Sequence, residues 1–160
     1  MSEKADYNKT AEHYDARYRA TQFEKYWIML AGLRLRGKIL DHGCGTGLLT
    51  EFLKMELVGV DSSKDMLKIR GCGDLADVEE LPYEDDEFDF VLSFSVLMNC
   101  ANSEKAIDEV KRVLNPEGVF VCTFLKDFES RIKPLLEKHF KIEQEIECSE
   151  DCGFILLQKA

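Results

Sequence analysis

The stretch ILDHGCGTG, residues 39–47, sets one aspartate, Asp41, and three glycines at alternate positions, Gly43, Gly45 and Gly47, behind an aliphatic pair. Glycine admits positive φ or a close backbone approach, and each one costs chain entropy on folding, so three in five residues point to a ligand or a severe turn. A second acidic residue, Asp61, closes the next apolar run, LVGVD. There a carboxylate can accept hydrogen bonds from both hydroxyls of a ribose, and the same position suits a turn or helix-capping aspartate. A strand that ends in Gly-x-Gly-x-Gly and enters a helix aims backbone N–H groups at a ligand beyond the carboxyl edge of its sheet. A nucleotide-like cofactor is the natural occupant. Counting from Gly43, the sixth position is Leu48 rather than the last glycine of the dinucleotide fingerprint, which disfavours a nicotinamide-dependent reductase. Two carboxylates beside the loop suit a ligand carrying positive charge better than a diphosphate.

The elements that must hold these residues follow from the apolar pattern. From Lys38 onward, short apolar runs alternate with segments of helical period, the signature of α/β units around a parallel sheet. KILDH reads as a first strand and LLTEFLKM as the helix after it. LVGVD is a second strand, SSKDMLKI a helix that Ser62 or Ser63 can cap, and RGCGD a short third strand. FDFVLSFSV is the continuous apolar run of a central strand covered on both faces. It precedes SEKAIDEVKRVL, a helix with a stripe of Ala106, Ile107, Val110, Val113 and Leu114. NPEG is a turn into the strand VFVCTFL, a helix lies near 127–139, and KIEQEIEC and GFILLQKA pair antiparallel to finish the domain. The whole predicts a single domain over 1–160: a helical N-terminal cap, 1–37, on a Rossmann-like core, 38–160.

Composition bounds the partners. The 160 residues are 45% hydrophobic and 32% charged, enough apolar material for a proper core. Asp and Glu outnumber Lys and Arg by 31 to 21, a formal charge of −10 that repels a nucleic-acid backbone. The start has no apolar signal region and no run approaches the ~18 residues of a membrane span, so a soluble cytoplasmic protein is expected. The six cysteines, 44, 72, 100, 122, 148 and 152, form no Cys-x-x-Cys pair and read as buried thiols, with no metal site expected. Cys148 and Cys152 would close a small loop only in a strongly oxidising setting. Residues 11–33 are helical in pattern and carry Tyr14, Tyr18, Phe23, Tyr26 and Trp27, which suits both a helix covering the sheet and a lid over the site.

With these residues in view, the sequence resembles the class I S-adenosylmethionine-dependent methyltransferases, particularly the branch acting on quinones and other metabolites. ILDHGCGTG is similar to their first motif and VGVDSSKDML to their second-strand acidic motif. ADVEELPYEDDEFDFVLSFSVL resembles the adenine loop and fourth strand, and AIDEVKRVLNPEGVFVCTF the helix, turn and fifth strand that follow. The resemblance covers residues 38–125 and extends more weakly to AEHYDARY, similar to the family's lid helix. It implies a doubly wound α/β fold with a mostly parallel seven-stranded sheet and an antiparallel C-terminal strand. It also implies S-adenosylmethionine as cofactor, S-adenosylhomocysteine as product and a small-molecule acceptor, with room for a protein partner or a homo-oligomer. Carried over by position, Asp41, Gly43, Gly45 and Gly47 would face the methionine part and Asp61 the ribose. Met66 would pack near the adenine, Asp77 would accept from its amino group, and the Val78 N–H would reach a ring nitrogen. Phe94 and Ser95 would line the methyl-transfer side, with Tyr14 closing over it. NPEG stands where the family has proline-glycine-glycine, a structural departure.

Methyl transfer from a sulfonium needs alignment more than covalent help, and an acceptor that must lose a proton wants a base within hydrogen-bond reach. Of His13, His42 and His139, His13 is the favoured base because it sits beside Tyr14 in the lid segment, while His42 suits a side chain packed away from the cofactor. A regulatory subunit that binds the cofactor without catalysis is the alternative reading. The glycine motif itself generates a test. Gly45→Val should abolish binding of S-adenosylhomocysteine, measured by calorimetry, while circular dichroism still reports a folded domain.

Overall fold

The computed structural model describes the backbone of residues 7–159 and the side chains from residue 18 onward. Seven strands form one sheet in the order β3-β2-β1-β4-β5-β7-β6. They are β1 (Ile39–His42), β2 (Val58–Asp61), β3 (Asp74–Leu75), β4 (Phe88–Phe94), β5 (Leu114–Leu125), β6 (Phe140–Cys148) and β7 (Asp151–Gln158). Strands β1 to β5 pair in parallel, whereas β7 runs antiparallel to both β5 and β6. The connections are the helices α2 (Leu48–Leu53), α3 (Lys64–Arg70), α4 (Ser103–Val113) and α5 (Glu129–His139), and α1 (Tyr7–Leu30) precedes the sheet. This is the doubly wound, mostly parallel sheet that the sequence pattern predicts.

The period-2 alternation of the strands divides the interior into two cores. Phe88 and Val91 of β4, Phe120, Cys122 and Phe124 of β5, and Phe154 and Leu156 of β7 join α4 and α5 on one face. Phe90, Leu92 and Phe94 of β4, Val121 of β5 and Ile155 of β7 meet α1 and α2 on the other. Strand β4 is buried along nearly all its length, which is why it reads as an unbroken apolar run.

Local signals place most helix ends. Ser63 Oγ accepts from the Met66 N–H at the start of α3, and Asn102 Oδ1 accepts from the Lys105 N–H at the start of α4. The third strand begins later than RGCGD suggests, because Gly71, at φ +89, closes α3 in a left-handed cap instead of extending. Asn115–Gly118 do not form a separate turn before β5. They bulge out inside it, so that Phe88 pairs with Leu114 while Phe90 already pairs with Val119.

The second half of α1 is a covering helix. Tyr26, Met29 and Leu30 are buried, and Tyr26 meets Phe94 edge-on at 4.8 Å between ring centroids. Trp27 instead faces solvent at 69% exposure. None of the six cysteines forms a disulfide; Cys44, Cys122, Cys148 and Cys152 are buried and Cys100 half-buried, but Cys72 is exposed. Its neighbours Gly71 and Gly73 hold it on a surface turn rather than in a strand, which corrects the expectation of a buried thiol there.

Met29 fixes α1 to the sheet by filling the space where a Cβ on Gly153 of β7 would stand. Met29→Ala should therefore cost about 2–5 kcal/mol, the usual range for emptying a packed core site, as read from urea denaturation.

Candidate functional site

The carboxyl ends of β1, β2 and β4 open onto a cleft lined by Gly43, Gly45, Asp61, Ser62, Met66, Asp77, Val78, Glu79, Phe94, Ser95, Val96, Asn99 and Cys100. A smaller recess beside it is lined by Gln22 and Tyr26 of α1, Asp41, the Gly43–Thr46 loop, Leu48 and Phe94. Eight of the residues singled out in the sequence thus meet at the cleft: Gly43, Gly45, Asp61, Met66, Asp77, Val78, Phe94 and Ser95. Asp41 joins them from the recess. The side chains of His13 and Tyr14 lie outside the described residues.

Asp61 organises this edge. Its Oδ2 accepts from the Gly45 N–H at 2.8 Å and its Oδ1 from the Ser63 N–H at 2.8 Å, so one carboxylate ties the glycine loop to the turn after β2. The loop is further fastened by the Gly43 and Cys44 N–H groups, both donating to the Val60 carbonyl. Gly43, Gly45 and Gly47 all have positive φ, at 76°, 52° and 91°. They serve different neighbours. A Cβ on Gly43 would run into Val96, which itself lines the cleft, whereas a Cβ on Gly47 would meet Cγ of Arg70. Gly47 lines neither the cleft nor the recess. It starts α2 and leaves room for the Arg70 side chain, which passes under the loop beside Gly59 and donates to the Leu57 and Cys72 carbonyls.

The far wall is a polar loop held from behind. Asp77 Oδ1 accepts from the Glu79 N–H, shaping a turn that leaves Asp77 exposed and Val78 half-buried. Arg112 of α4 donates to the Leu81 and Tyr83 carbonyls and to Asp85, and Glu109 accepts from the Leu81 N–H. Met66, 1% exposed, lines the cleft together with Asp77 and Val78.

Two buried groups on β1 carry unusual protonation. Burial pushes the Asp41 carboxyl up to about 7; the Arg70 guanidinium opposes this and the Asp61 carboxylate adds to it. Its Oδ2 is buried and finds no hydrogen-bond donor among the described residues. An orphaned carboxylate oxygen at the recess fits a ligand that brings a positively charged donor. His42 lines neither the cleft nor the recess; it is wholly buried, with its Nδ1 2.9 Å from Ser93 Oγ, and burial lowers its pKa to about 4. His139 is on α5, paired with Asp108. Among the described residues there is no group of three or more metal-ligating side chains, and no helix long and apolar enough to cross a membrane.

Val96, Asn99 and Cys100 escaped sequence reading because a single 3₁₀ turn, Leu97–Asn99, folds them back over the cleft, and no periodicity announces such a turn. Ser62 and Glu79 flank Asp61 and Asp77, so adjacency to the motif residues was the available signal.

A glycine loop after the first strand, an acidic residue ending the second and a polar loop before the fourth define a Rossmann-like methyltransferase domain. Residues 40–122 match the methyltransferase domain family, and the chain belongs to that family. An uncharacterized protein of Methanocaldococcus jannaschii is 32% identical over 154 residues, a match spanning 88% of this chain and 59% of the relative. The demethylmenaquinone methyltransferase of Symbiobacterium thermophilum is 31% identical over 140 residues, spanning 72% of this chain and 56% of that enzyme. The chain thus spans somewhat more than half the length of these two relatives. In fold it is similar to an S-adenosylmethionine-dependent methyltransferase of Aquifex aeolicus, with a TM-score of 0.80 at 18% identity over 93% of this chain and 97% of the other.

The buried pair on β1 gives opposite pH trends. Asp41 is raised from 3.8 to about 7, so the stability linked to its neutral form is complete below the ordinary value and lost as pH rises through 7. His42 is lowered from 6.5 to about 4, so its contribution is present above 6.5 and lost as pH falls towards 4. Asp41→Asn should isolate the first trend. Without cofactor it should be more stable than the wild type at pH 8, by about 1.4 kcal/mol for each pKa unit of the shift. The difference should vanish towards pH 4 in denaturation measured across that range.

Proposed function

We propose that this protein transfers a methyl group from S-adenosylmethionine to a small-molecule acceptor. The observation that carries the reading is the pair of acidic residues, Asp61 and the orphaned Asp41, on either side of one glycine loop at the carboxyl edge of a parallel sheet. Asp61 spends one lone pair of each oxygen on a backbone N–H and keeps others for the ribose hydroxyls. Met66 packs against the adenine, Asp77 accepts from its amino group, and the Val78 N–H reaches a ring nitrogen. The Gly43–Gly45 loop and Asp41 hold the methionine end, where the carboxylate meets the ammonium. Gly47 drops out of this set and acts through Arg70 instead.

Bound in that way, S-adenosylmethionine supplies an electrophilic methyl group on a sulfonium. The chain's own work is alignment and exclusion of water, and orientation alone is worth up to about 7–11 kcal/mol. Phe94 and Ser95 bound the side from which the acceptor arrives. Helix α1 meets this side through Tyr26, whose ring packs edge-on against Phe94, and His13 is the candidate base, since neither His42 nor His139 lines the cleft. The formal charge of −10 and the kinship with a quinone-modifying enzyme support a small acceptor over nucleic acid.

Removing the Asp61 carboxylate should weaken S-adenosylhomocysteine binding. Loss of charge-assisted hydrogen bonds worth ~1.5–3 kcal/mol predicts a roughly 10- to 150-fold rise in the dissociation constant of Asp61→Ala by calorimetry. Transfer of labelled methyl from S-adenosylmethionine to a panel of quinones, phenols and amines tests the catalytic half. Tight cofactor binding with no transfer to any of them would favour a regulatory subunit.

A further inference from the structure

We propose that Lys25 and Asp151 are positioning residues: a buried ion pair that sets the turn at Ser95 and so shapes the methyl-transfer side of the cleft. The inference rests on the cofactor reading above and extends it to two residues outside the cleft lining. Lys25 lies on α1 and Asp151 opens β7, yet Lys25 Nζ stands 3.0 Å from Asp151 Oδ2, with both side chains almost wholly buried. Ser95 completes the cluster. Its hydroxyl donates to Asp151 Oδ2 at 3.0 Å and accepts from Lys25 Nζ at 3.2 Å.

Ser95 is the only member of the three among the cleft-lining residues. It sits directly after β4 at φ +61, a left-handed conformation that a serine adopts only when its surroundings compel it. Its backbone is held as well, with the N–H donating to the Thr123 carbonyl and the carbonyl accepting from Asn99 Nδ2. The turn it makes directs Val96 against the glycine loop and returns Asn99 and Cys100 over the cleft.

Stability alone is a poor reason for such a pair. Two desolvated charges often stabilise a fold no better than apolar side chains of the same volume, and Asp151 Oδ1 remains without a hydrogen-bond partner among the described residues. What apolar side chains cannot supply is a directional hold on a hydroxyl. Through it, α1 of the cap, the end of β4 and the start of β7 are locked together at the cleft.

The test compares Lys25→Met, Ser95→Ala and the charge-free double variant Lys25→Met/Asp151→Leu, which removes the pair while keeping the site filled. S-adenosylhomocysteine binding by calorimetry and amide exchange of residues 94–100 in the free protein are the readouts. A dissociation constant raised by up to roughly 100-fold is expected in all three, because binding must then restore a turn that a charge-assisted hydrogen bond no longer holds. Exchange over 94–100 should quicken, and in the double variant both effects should persist although its melting temperature equals or exceeds that of the wild type. A double variant with wild-type affinity and wild-type exchange over 94–100 would overturn the proposal and leave the pair a structural feature. If the wild type itself fails to bind S-adenosylhomocysteine, the cofactor reading falls. The exchange comparison then decides alone whether the pair sets the turn, with unchanged rates counting against it.

Discussion

The site depends on one carboxylate. Asp61, at the last position of β2, accepts from the backbone of both the glycine loop and the turn into α3, and so couples two βα connections that would otherwise be independent. Charge-assisted bonds to backbone N–H groups are stronger than neutral ones and hold direction as well as distance. Because β1 lies between β2 and β4 in parallel register, with Asp41 opposite Gly59 and Leu92, this coupling brings the loop, the second strand's acid and the end of β4 to one edge. Every other feature of the cleft is arranged around that edge.

Arg70 is the counterweight beneath it. Its side chain occupies the space that Cβ atoms on Gly47 and Gly59 would take, and its positive charge lies near Asp41 and opposes the rise in that carboxyl's affinity for protons. The glycines of the loop thus answer two demands. Gly43 and Gly45 bring the main chain to the cleft, and Gly47 brings it close to a half-buried cation. A motif that looks like one device in sequence is two in space.

The polar loop of residues 77–85 and the turn after β4 face each other across the cleft, and each is positioned from outside. Arg112 and Glu109 grip the first from α4. The second is held by the backbone of β5 and by the Lys25–Asp151–Ser95 cluster. Surface charge pairs elsewhere, such as Lys138 with Glu104, are exposed and contribute little by comparison. The charged groups that position the site are buried or half-buried, where a missing partner costs more than at the surface.

The sequence by itself determined the sheet and most of the cleft. Apolar runs of strand length alternating with helical stripes announce parallel βαβ units, and in such units the residues at strand ends converge at one edge, so Asp41, Gly43, Gly45 and Asp61 could be placed from the chain alone. Met66, Asp77, Val78, Phe94 and Ser95 followed from the family resemblance of the segments carrying them. What only the tertiary structure decided depends on contacts between residues far apart in the chain. Gly47 answers to Arg70, Lys25 meets Asp151 across 126 positions, and the 3₁₀ turn carries Asn99 and Cys100 back over the cleft. Burial likewise cannot be read from residue type: Asp41 and His42 are adjacent and ionisable, and the sheet that closes over both shifts one upward and the other downward. Local sequence encodes local geometry and periodicity, whereas desolvation and long-range pairing exist only once the chain has folded.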